Sequence, residues 1–177
     1  IVLLGAADRS MLECLRWVSA PVLVVESDQE LLEQRAEAAA ALGLKRIFFL
    51  EQVVGATRKD VSWHRYNDAR LNGPEPLAAL RQRYPNLALE SIEVRQQIPL
   101  VELLQAWEPA LEDGGMLVLP QQAALSWLDS AVSCLKRLRA LYWQSGASWS
   151  TSSQQHLETL LADCWLVSAM DDVEVHS

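Results

Sequence analysis

Three short apolar runs, "IVLLG" at 1–5, "PVLVVE" at 21–26 and "KRIFFLE" at 45–51, constrain the fold of this chain more than any other feature. The first two are short and continuously apolar, so they read as buried strands, and the third supplies a further strand. Two helical stretches separate them. Met11, Leu15 and Val18 share one helical face after Asp8 or Ser10, either of which can cap a helix. Ser27-Asp28-Gln29-Glu30 has the S-x-x-E form of a capping box, and Leu31, Leu32, Ala38, Ala39 and Leu42 follow before Gly43 ends the helix. Strand, helix, strand, helix, strand at this spacing predicts an α/β fold with a parallel sheet and right-handed crossovers.

The middle of the chain departs from that rhythm. "VVGATRKDVSWHRYND" reads as a short hairpin or extended insert, and "NGPEPLAALRQRYPN" as a loop around one or two helical turns. "LALESIEVRQQ" looks extended, and "PLVELLQAW" opens a helix with proline. Buried strands then resume with "GGMLVLP". "QQAALSWLDSAVSCL" reads as a helix with Leu125, Leu128 and Val132 on one face, and "RLRALYWQ" as another strand. Thr151-Ser152-Ser153-Gln154 resembles a second capping box that opens a helix to about residue 162. "CWLVSAM" and "VEVHS" are expected to close the chain as paired strands, turning at Asp171-Asp172.

At 177 residues and 50% hydrophobic content, the chain is expected to form one domain over residues 1–177. The opening Ile1 lies inside an apparent core strand, so the domain is expected to be part of a longer chain. No apolar run reaches the ~20 residues needed to span a bilayer. A net charge of −8 repels phosphate backbones, so nucleic acid is not an expected partner. Cys14, Cys134 and Cys164 are few, distant and set in apolar surroundings, as expected of reduced core thiols in a cytoplasmic protein. His64, His156 and His176 show no ligand spacing, and no metal site is expected.

The turn after the first strand carries the main functional signal. A helix amino terminus at the carboxyl end of a parallel sheet presents free N–H groups, and Gly5 permits close backbone approach there. Glu26, about twenty residues on, stands where an acid accepts ribose hydroxyls. A single Gly and Glu at these places also occur in α/β proteins that bind no nucleotide. Asp28 reads more simply as an early-helix carboxylate, and "GASWS" around Ser148 lacks the closing glycine of a nucleophile elbow.

Seven tryptophans are many for this length. Trp17, Trp107, Trp127 and Trp165 fall where elements pack, whereas Trp63, Trp143 and Trp149 fall in or beside loops, where exposed rings could stack on a glycan-type substrate or hold a protein partner.

The order strand-"GAADRS"-helix, "VLVVESDQELLEQ", extended insert, "SIEVRQQIPLVELL", "MLVLPQQAALSWLDSA" and final "CWLVSAM" resembles the FkbM-type group of S-adenosylmethionine-dependent methyltransferases along essentially the whole chain. The resemblance implies a methyltransferase-type Rossmann fold: a mostly parallel sheet with an antiparallel C-terminal strand and helices on both faces. It also implies an S-adenosylmethionine site drawn from Gly5, Ala6, Ala7, Asp8 and Glu26, and methyl transfer to a hydroxyl on a sugar or other small substrate.

The departures from that pattern are specific. Leu3 replaces the acid of the first motif, Arg9 replaces its last glycine and could crowd the cofactor's methionine end, and Ser27 follows Glu26 in place of proline. In the later motif Leu119, Gln122 and Ala124 stand where the family carries Asp, Gly and Glu. A leucine cannot accept a proton, and His64 is the one candidate substitute base, though it reads more simply as a strand residue beside Trp63 and Tyr66. The expectation is a non-catalytic interaction or accessory module. An active O-methyltransferase and a domain binding another adenosine ligand through Glu26 are the alternatives.

Overall fold

The structure, a computed structural model, describes residues 1–5, 8–107, 115–119, 125–143, 159 and 165–167. Its main sheet is built from β1 (Val2–Leu4), β2 (Val22–Glu26), β3 (Ile47–Glu51), β7 (Gly115–Leu119), β8 (Leu138–Trp143) and β9 (Trp165–Val167). Their order is β3-β2-β1-β7-β8-β9, and every neighbouring pair is parallel. The order reverses between β1 and β7, the switch point at which open α/β sheets form a crevice. The described C-terminal strand, β9, is therefore parallel to β8. The antiparallel partner expected over "VEVHS" lies outside the described residues, as do the second capping box and the Asp171-Asp172 turn.

The continuous apolar runs of β1 and β2 follow from this architecture, because their side chains alternate between two faces that are both covered, whereas β3 is an edge strand on which Phe48 and Leu50 stay exposed. Val2, Leu4, Leu23, Val25, Leu117 and Leu119 join the core beneath α4 (Leu100–Ala106), α5 (Leu125–Ser130) and α6 (Val132–Leu135). Leu3, Val22, Val24 and Val118 join a second core with Leu12 of α1 (Arg9–Cys14); Ala38, near the end of α2 (Gln29–Ala41), packs against it. The helix expected across 121–135 is divided at Ala131.

The atypical middle forms a separate three-stranded sheet of β4 (Val53–Gly55), β5 (Lys59–Tyr66) and β6 (Leu89–Pro99), in the order β4-β6-β5. β4 is parallel to β6 and β5 antiparallel, with α3 (Leu77–Leu80) in the connection between β5 and β6. Pro99 precedes α4 at its N-cap, where a missing N–H costs nothing.

Four expectations need correction. Trp17, expected in the core, is 89% exposed, because α1 ends at Cys14 and tightens into a 3-10 turn at Leu15–Trp17 that rotates the indole outward. Trp63, expected near a loop, is buried on β5 with the Arg95 guanidinium 5.4 Å from its ring centre. Cys14 is exposed rather than a core thiol, while Cys134 is buried. The N-cap of α2 is Asp28, not Ser27, since β2 keeps the backbone extended through Glu26 and the helix starts one residue later.

Candidate functional site

The carboxyl ends of β1, β2 and β3 form the rim on which Gly5, Asp8 and Glu26 stand. Gly5 has φ 55°, a left-handed conformation that glycine adopts without strain, and its N–H donates to the Val25 carbonyl at 2.9 Å. The bend is therefore tied back to β2. Asp8 caps α1 by accepting the Met11 N–H at 2.7 Å, so its own carboxylate answers the helix amides an anion would seek. Ala6 and Ala7 lie outside the described residues. Arg9 does not crowd the bend: its side chain is 84% exposed and reaches Glu13 at 3.3 Å, one helical turn along.

Glu26 shares its side of β2 with Val22 and Val24, the side covered by α1 and α2. Its side chain is 6% exposed and its nearest ionic partner is Arg35 of α2, with Nε 3.7 Å from Oε1. Burial pushes the Glu26 carboxyl above the ordinary glutamate value; Arg35 offsets part of that rise, and the Asp28 charge adds to it. Arg35 escaped the sequence reading. The signal was its place four residues after Leu31 and four before Ala39, on the inward stripe of an otherwise alanine-rich helix.

Asp28 is also buried, and both of its oxygens are engaged. Oδ1 accepts the N–H groups of Glu30 and Leu31, at 3.0 and 3.3 Å, while Oδ2 accepts Asn72 Nδ2 at 2.6 Å. Asn72 in turn accepts the Tyr66 N–H at 2.7 Å, so the segment after β5 is latched to the start of α2. A second tie comes from β6, where Arg95 donates to the Ser27 carbonyl and the Glu51 carboxylate. Gln52 Nε2 adds a bond to the Gln96 carbonyl at 3.1 Å. The insert thus anchors itself on the rim above β2 and β3. Asn72→Ala is expected to lower stability by about 1–2 kcal/mol, since it removes one charge-assisted bond and one backbone acceptor. A urea midpoint identical to wild type would show that the latch contributes nothing.

The remaining candidates separate from this cluster. Leu119 is fully buried in the core below the switch point, and Gln122 and Ala124 lie outside the described residues. His64 is half-buried on β5, with Nδ1 3.2 Å from the Gly73 carbonyl and its ring stacked on Tyr66 at 6.2 Å. That places it in the insert's own packing. Ser148 and Trp149 lie outside the described residues. Among the described residues, no group of three or more His, Cys, Asp or Glu is arranged to hold a metal, and no helix is long and apolar enough to cross a membrane.

The rim is a poor fit to an adenosyl group. The acid that should accept ribose hydroxyls is turned under α2 toward an arginine, and the carboxylate of the first bend is spent on its own helix. No protein-family model, curated protein or solved structure matches this chain.

Proposed function

We propose that this chain is a methyltransferase-like α/β domain, similar to the FkbM-type group, that works as a non-catalytic interaction or accessory module. The observation that carries the reading is Glu26: buried on the face covered by α1 and α2 and paired with Arg35, at a rim to which the insert is also held through Asn72 and Arg95. A hydroxyl pair could reach that carboxylate only by displacing protein partners. Leu119, buried in the core at the end of β7, supplies no proton acceptor. A protein surface or a glycan chain is the expected class of partner.

A second reading, an active O-methyltransferase, draws support from the bend itself. Gly5 keeps the left-handed turn, and Arg9 leaves the space beside it. Calorimetric titration with S-adenosylmethionine and S-adenosylhomocysteine separates the two. The module reading expects no heat of binding up to about a millimolar ligand. Micromolar binding, together with transfer of a labelled methyl group to a sugar hydroxyl, would replace it with the enzyme.

A further inference from the structure

At the opposite end of the main sheet from Glu26, a cleft of about 370 Å³ opens where β2 and β3 begin. Its lining is mixed, with Val18, Leu42 and Leu44 contributing apolar surface, and its charged groups are three cations, Arg16, Lys45 and Arg46, with no acid. That composition is unusual on a chain of net charge −8.

Basic side chains near helix carboxyl ends often serve only the helix dipole, so magnitudes matter here. Each helix end carries at most roughly half a negative charge, and α1 and α2 together supply about one unit against three positive side chains. The last carbonyls of α2 are already partly answered: Leu42, Gly43 and Leu44 donate to Ala38, Ala40 and Ala39. Arg46 is held in place by its bond to the Ser19 carbonyl at 2.9 Å. Arg16 and Lys45 are exposed and form no ion pair among the described residues. The cleft keeps a positive surplus beside the apolar side chains of Val18, Leu42 and Leu44, at a volume within the roughly 300–1,000 Å³ common to small-molecule sites.

We propose that this cleft binds a small amphipathic anion, a carboxylate or phosphate carrying an aliphatic body, with Val18, Leu42 and Leu44 taking the chain and Arg16, Lys45 and Arg46 the head. The site lies at the other rim of the sheet and stands independently of the reading of Glu26.

Isothermal titration of the purified chain with sodium decanoate, butyrate, decan-1-ol and inorganic phosphate tests both halves. Decanoate is expected to bind at least about tenfold more tightly than butyrate, because added methylenes are buried, and about tenfold more tightly than decan-1-ol, because the alcohol forfeits the charge. Phosphate alone is expected to bind weakly. The Arg16→Gln/Lys45→Gln variant, altered only at exposed positions, should lose about tenfold in decanoate affinity while keeping the wild-type urea midpoint. Equal binding of decanoate and decan-1-ol, phosphate binding as tightly as decanoate, no decanoate binding up to about 5 mM, or an unchanged variant would each overturn the proposal. The comparison among ligands on the wild-type chain decides the matter even if the variant misfolds.

Discussion

Leu117→Ala is expected to destabilise the fold by about 2–5 kcal/mol, the range for emptying a fully buried leucine site whose neighbours relax only in part. Leu117 has no exposed surface and sits on β7, opposite Val2 of β1 and Leu141 of β8. Its core includes Leu4, Leu100 and Leu104, contributed by a strand and a helix far apart in the chain. A cavity there weakens several packing surfaces at once. Leu117→Met, which nearly conserves volume, should cost less than about 1.5 kcal/mol. Urea denaturation of both variants provides the check, and a loss below about 1 kcal/mol for alanine would remove β7 from the centre of the core.

Arg35→Met is expected to produce a loss that depends on pH. A carboxyl raised above its ordinary value of 4.5 holds more protons folded than unfolded across the interval between the two values, so stability falls as pH rises through that interval. Removing Arg35 takes away the charge that offsets the rise and widens the interval. Protonation sets a ceiling on the cost: at about 1.4 kcal/mol per pH unit above the unfolded value, carrying a neutral Glu26 costs no more than about 3.5 kcal/mol at pH 7 and under about 1 kcal/mol at pH 5. The expected loss is therefore about 1–3 kcal/mol at neutral pH, shrinking as the solution is acidified. Glu26→Gln/Arg35→Met should recover most of it and flatten the pH dependence. An equal loss at pH 5 and pH 7 would assign the effect to lost packing by the arginine stem.

The central strands of the main sheet were readable because a strand covered on both faces has no polar side to blur its pattern, as "PVLVVE" shows. The insert was readable only as extended chain. Its pairing joins residues such as Trp63 and Glu93, and nothing local in either segment specifies that register. Trp17 was misplaced because helical spacing was continued past Cys14, into a turn with a different angular step. Gly5, Asp8 and Glu26 do stand at one rim, as their spacing required, but their engagements depend on contacts that spacing does not encode. Asn72 meets Asp28 across 44 positions, and Arg35 meets Glu26 across a strand-to-helix turn. Burial of a polar residue is a property of the assembled molecule, and a one-dimensional pattern reports it only where the period is unbroken.

The register that seats β1 between β2 and β7 also dictates a timetable. Val2 finds Leu23 soon after synthesis, but its other neighbour, Leu117, is added more than a hundred residues later. At translation speeds of ~5–20 residues per second, that interval is roughly 5–20 s. Throughout it, the half-built sheet presents the open flank of a greasy strand to solvent or to whatever chaperone waits at the ribosome, and this buried seam closes only after most of the chain is made.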